Sequence, residues 1–135
     1  MYFIYYVILL SIILLNISVF NVIYDIIFSM IEFINELYLT EKTKNKLDKI
    51  KDDILNEKWM SLVCIIILSE CERDVFDIIP VNTLNIRKRF NERFVVLGIA
   101  ENKKAALKLC SKMIEEYMMN KNYKSMREYF KDKLQ

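Results

Sequence analysis

The sequence predicts an α+β, helix-rich chain in which an N-terminal transmembrane helix precedes a small domain with a short antiparallel sheet and two C-terminal helices. Three observations predict it. Residues Tyr2 to Tyr24 carry no charge over 23 positions, three short runs between Trp59 and Ala100 are rich in β-branched residues, and the last third repeats apolar residues at three- and four-residue steps. The chain has 135 residues, 54% apolar and 28% charged, so the apolar and charged residues must occupy different regions. The expected division is 1–24 as anchor, 25–58 as an amphipathic and charged helical segment, and 59–135 as a small globular domain. The alternative is a soluble all-α bundle with residues 2–39 as its core helix.

A helix over Tyr2 to Tyr24 covers roughly 34 Å at about 1.5 Å per residue, against a bilayer hydrocarbon core of about 30 Å. Ser11, Asn16, Ser18 and Asn21 are its polar members, and Asn16 is the least favourable, since Ser can bond back to the helix and Asn is tolerated best towards an interface or a partner helix. Tyrosines at positions 2, 5, 6 and 24 flank the run, where amphipathic rings prefer the headgroup region. A cleaved secretory signal fits less well, since no Lys or Arg precedes Lys42 and no small-residue cleavage pattern follows. A core helix, apolar all round, is the other reading.

Beyond the run, Ile26, Ile27, Met30, Ile34, Leu37 and Tyr38 recur at helical spacing opposite Asp25, Glu32 and Glu36, which predicts an amphipathic extension of helix one to Leu39. Residues 41 to 58 hold six Lys and five acids around a stripe of Leu47, Ile50 and Ile54, the pattern of a surface helix. Val63 to Leu68, Val75 to Val81 and Phe94 to Ile99 predict three antiparallel strands, the first of them ambiguous with a buried helix. Pro80 places its strand at an edge or its residue at a strand end. Asn102 is the expected N-cap of a helix burying Ala106, Leu109, Cys110, Met113, Ile114 and Tyr117. Lys112 is paired there with Glu115 and Glu116. After a polar break, Met126, Tyr129, Phe130 and Leu134 form the apolar side of a last short helix.

Composition excludes much chemistry. The chain has no His, which removes histidine-based nucleophilic catalysis and the common zinc hydrolase motifs. Its one glycine, Gly98, cannot build a phosphate-cradling loop, so P-loop and dinucleotide fingerprints are absent. Cys64, Cys71 and Cys110 show no C-x-x-C spacing and are expected to be reduced thiols. No catalytic residue, metal ligand or cofactor is therefore expected.

Charge is uneven: residues 1–84 carry a net −5 and residues 85–135 a net +7. The basic group Arg87, Lys88, Arg89 and Arg93, interleaved with Phe90 and Phe94, is the one candidate site, for anionic lipid or nucleic-acid phosphate. Its bland reading is a solvated basic turn before a strand with core phenylalanines. The acidic group Glu70, Glu72, Asp74 and Asp77 lacks a calcium-loop pattern and reads as a solvated turn.

The expected function is that of a small single-pass membrane-anchored protein, non-enzymatic, that binds another protein. The alternatives are a soluble helical interaction protein with a buried first helix, and a membrane-active homo-oligomer joined through that helix. Membrane lipid and a protein are the expected partners; nucleic acid is not, because no recognition motif accompanies the basic group. All twenty Lys and Arg residues follow residue 40, which favours the cytoplasmic face for the domain.

Overall fold

The computed structural model describes residues 2–28, 31–59, 62–71, 73–88, 93–120, 122 and 125–134, with side chains described at all of these except 22–28 and 85–88. The fold is α+β, with six helices and a four-stranded mixed sheet among the described residues. In chain order the elements are α1 (Tyr2–Phe28), β1 (Ile31–Leu39), α2 (Glu41–Lys44), α3 (Leu47–Leu55), β2 (Cys64–Leu68), β3 (Phe76–Pro80), α4 (Val81–Lys88), β4 (Phe94–Ala100), α5 (Lys103–Met118) and α6 (Met126–Asp132).

The strand order is β1-β4-β2-β3. Strand β2 runs antiparallel to β3 and β4, whereas β1 is parallel to β4, so the sheet is mixed where the sequence implied an antiparallel one. The three expected strands begin and end within one residue of their apolar runs. These runs are continuous because both faces of the sheet are covered. Ile65, Ile67, Phe94 and Val96 pack beneath Ile50 and Ile54 of α3 and Val81 and Leu84 of α4. Cys64, Ile66, Leu97 and Ala100 pack on the other face against Ala106, Leu109 and Met113 of α5 and Phe130 of α6. Pro80 ends β3, an edge strand, where its missing N–H removes no ladder bond that the sheet needs.

Residues 31–39 correct the sequence reading. They form the edge strand β1 and not an amphipathic extension of α1. Ile31 and Phe33 join the α3 side of the core, and Ile34 and Tyr38 join the α5 side. The change of face comes from an irregularity: Phe33 pairs with Val96 and Tyr38 with Gly98, so five steps along β1 match two along β4. The extra residues separate the buried side chains by three and four positions, which imitates a helical period. The all-α alternative fails on the same ground, and also because Tyr2–Asn21 is wholly exposed.

The one glycine is explained at this irregularity. A Cβ on Gly98 would lie 2.8 Å from the Tyr38 carbonyl oxygen and 3.3 Å from Tyr38 Cβ. β4 carries its own bulge beside it, since Ile66 pairs with Gly98 and Ile67 with Val96, leaving Leu97 as the additional residue.

The helix ends follow local chemistry. Asn102 caps α5 by accepting from the Ala105 N–H at 2.8 Å, and Ser125 caps α6 by accepting from the Glu128 N–H at 3.1 Å. After α3, Glu57 adopts φ 56°, the Glu57 N–H donates to Ile54 O at 3.2 Å, and the Lys58 N–H donates to Asp53 O at 2.9 Å. That pair of bonds closes the helix in the left-handed manner usually assigned to glycine. Helix α4 was not expected; it follows Pro80 without a break and buries Val81 and Leu84.

Candidate functional site

One N-terminal helix is long and apolar enough to cross a membrane. The stretch Tyr2–Asn21 has a mean hydropathy of 2.4, and none of it is buried. Large apolar side chains from Tyr2 to Phe20 range in exposure from 46% at Val7 and Ile13 to 85% at Tyr2, so no side of the helix is reserved for a protein neighbour. A stretch that is apolar on every side and unburied along Tyr2–Asn21 leaves a large apolar surface that water does not tolerate. The Ser11 hydroxyl donates to Val7 O at 2.8 Å, which satisfies that polar group within the helix.

The basic group predicted from sequence is only partly placed. Arg87 and Lys88 occupy the last turn of α4, with side chains outside the described residues, and Arg89 and Phe90 lie outside them as well. Arg93 is exposed and leads directly into β4, where Phe94 is buried in the core as the bland reading required. Phe94 pairs with Ile31, so Arg93 stands at the end of the sheet where β1 begins, two residues after α1.

The acidic group sits at the β2–β3 turn. Glu70 and Asp74 are exposed, Asp77 lies in β3, and Glu72 falls outside the described residues. No cluster suited to a metal ion occurs among the described residues. The turn is held by Arg127, whose guanidinium donates to Ser69 O, to Cys71 O at 2.7 Å and to Asp74 O at 2.7 Å. Sequence reasoning had no signal for this contact, because its acceptors are main-chain carbonyls.

A second feature lies at the opposite end of the sheet, along the edge of β1. A cleft of 390 Å³ is bounded by Leu39 and Thr40 on one side and by Lys104, Lys108 and Lys112 of α5 on the other. It continues into a second cleft of 440 Å³ that shares Leu39, Leu109 and Lys112 and adds Leu37, Lys44 and Glu116. The floor is apolar and the walls carry charge.

Most acids around this groove are engaged. The Thr40 hydroxyl donates to Glu101 Oε2 at 2.5 Å, and buried Thr43 donates to Ile99 O at 3.1 Å, which ties α2 to the end of β4. The Thr40 hydroxyl, Glu101's own backbone N–H and the Lys42 charge hold the Glu101 carboxyl below its usual range, against a small opposing effect of burial. Glu116 accepts from the Tyr38 hydroxyl and lies 3.8 Å from Lys133 Nζ. Burial, chiefly, together with that carboxylate, pushes the Tyr38 hydroxyl far above its usual range. Glu116 is therefore directed to Tyr38 and Lys133 and not to Lys112, contrary to the spacing argument. Lys44, Lys104, Lys108 and Lys112 make no ion pair among the described residues.

The three cysteines are unpaired thiols; Cys64 and Cys110 are buried and Cys71 is exposed. Burial pushes the Cys110 thiol up to about 11 and raises that of Cys64, which keeps both in the unreactive protonated form at neutral pH.

No protein-family model matches the chain, and neither does a curated protein or a solved structure.

Proposed function

We propose that this chain is a single-pass membrane-anchored protein whose α+β domain works by binding another protein and not by catalysis. The observation that carries the reading is the 20-residue stretch Tyr2–Asn21, helical, apolar and unburied along its whole length. Transferring such a surface into hydrocarbon is favourable by about 25 cal/mol per Å² of apolar area. Among the described residues, both faces of the sheet are packed without any side chain of Tyr2–Asn21. The anchor and the domain thus perform separate tasks.

The domain side of the bilayer is proposed to be cytoplasmic, on the concentration of every Lys and Arg after residue 40. A second reading, lateral self-association through α1, is favoured by Asn16. Its side-chain amide has no hydrogen bond among the described residues and lies mid-run, where a second helix offers the polar contact that lipid does not.

Alkaline carbonate extraction of membranes from cells expressing the full chain, with protease protection of a C-terminal tag, tests the anchoring. Retention in the pellet, with the tag digested in right-side-in vesicles only after lysis, supports an anchored cytoplasmic domain. Full-length protein in the supernatant rejects the anchor, and digestion before lysis reverses the orientation.

A further inference from the structure

We propose that the groove between the edge strand β1 and helix α5 binds an extended, acidic peptide segment of the protein partner; this rests on the reading of the domain as a protein-binding module. The walls present unpaired cations. Lys104, Lys108 and Lys112 follow each other at four-residue steps along α5, and Lys44 joins them from α2. Two of the groove's carboxylates are already committed, Glu101 to Thr40 and Glu116 to Tyr38 and Lys133. Glu101 keeps its charge beside the neutral Thr40 hydroxyl, so the lining sets Lys44, Lys104, Lys108 and Lys112 against Glu41, Glu101 and a Glu116 balanced by Lys133, a surplus of positive charge that favours an anionic occupant.

The spacing selects the form of that occupant. Four helical residues rise about 6 Å, so the three α5 lysines stand about 6 Å apart along the groove. Alternate side chains of an extended peptide recur at about 6.7 Å, so carboxylates at every second position meet successive lysines. The floor of Leu37, Leu39 and Leu109 suits apolar atoms of the same segment. A nucleic acid fits less well: Tyr38 is the one aromatic side chain among the described lining residues, and its ring already meets Phe130 edge-on at 6.0 Å and Lys133 Nζ at 5.5 Å, so the groove offers no series of aromatic faces for successive bases.

Position argues against lipid as the occupant. Strand β1 begins two residues after α1, and the groove adjoins its other end. From the Ile31–Phe94 pair to the Leu39–Ile99 pair, β4 advances five residues, about 17 Å at the usual strand rise. That separation from the strand end that follows α1 exceeds the screening length of about 8 Å at physiological salt.

The test uses the full chain in nanodiscs of neutral phosphatidylcholine and a fluorescein-labelled peptide of about ten residues with Glu alternating with Val. Anisotropy should show saturable binding that the glutamine analogue lacks. The double variant Lys108→Glu/Lys112→Glu should weaken it by roughly tenfold or more, whereas Lys46→Glu/Lys49→Glu, the same charge change on and before α3, should leave it within about twofold. Circular dichroism confirms that each variant is folded. Equal binding of the glutamine analogue, equal loss in both variants, or displacement by oligouridylate at lower concentration than by unlabelled peptide overturns the proposal. Preferential capture of anionic-lipid vesicles through the same lysines overturns it also. Binding by a chain that alkaline extraction releases would sink the anchor and leave the groove standing; an anchored chain that ignores the peptide would do the reverse.

Discussion

Gly98 is the residue on which the sheet's irregular half depends. The Tyr38 carbonyl oxygen lies 2.8 Å from where a β-carbon would be, and a main-chain atom held in a ladder cannot rotate aside as a long side chain can. Gly98→Ala is expected to destabilise the domain by about 1–3 kcal/mol, the usual range for inserting atoms into filled space. Urea unfolding of the full chain in detergent micelles measures it. An unchanged midpoint would mean that β1 does not press on β4 as described. A lone glycine in a chain this poor in glycine is visible in sequence, but its reason is not, because the approaching atom belongs to a carbonyl sixty residues earlier.

At the scale of elements, the link between α2 and the end of β4 carries a pH dependence. Glu101 is held below its ordinary range first by the Thr40 hydroxyl, so its contribution to stability is present above the unfolded carboxyl's pKa and is lost as pH falls through the lower, folded value. Thr40→Val should therefore cost more at pH 7, about 1 kcal/mol for the lost hydrogen bond, than at a pH below the folded carboxyl's own titration, where the group is protonated in both proteins. Equal costs at the two pH values, read from denaturation curves, would contradict the assignment.

How legible the elements were depended on how regular they are. The strands Cys64–Leu68, Phe76–Pro80 and Phe94–Ala100 and the helices capped by Asn102 and Ser125 announce themselves, because two-sided burial and capping leave marks on adjacent residues. β1 does not, since its bulge spaces Ile34, Leu37 and Tyr38 as a helix would. α4 is hidden by its brevity: Val81 and Leu84 alone define its buried side. The lysine groove was equally unreadable. Lys104, Lys108 and Lys112 look like the solvated face of any surface helix until the edge of β1 is placed beside them. The basic segment from Arg87 to Arg93, by contrast, is conspicuous in sequence, and of its four cations only the Arg93 side chain lies among the described residues.

At the scale of the whole molecule, the exposed apolar stretch Tyr2–Asn21 stands apart from a domain whose described core residues include none of it. A helix lying on the bilayer surface would divide into a polar and an apolar side, and α1 has no polar side. A helix buried in protein would show contacts, and Tyr2–Asn21 has none of its length buried. Under the proposed function this stretch would span the bilayer, and its length of about 30 Å is compatible with the hydrocarbon thickness.

The most direct test is the depth of that helix. Nitroxide labels placed singly at every position from 6 to 20 and at 24 of the full chain in liposomes, with native cysteines replaced, report collision with oxygen and with a water-soluble nickel chelate. The account predicts oxygen access rising and nickel access falling to the label at 14, with nickel access recovered at both ends. Nickel access repeating every three or four positions would show a helix lying on the surface, and exclusion of both reagents along one face would show a helix packed in protein; either result would contradict the anchor.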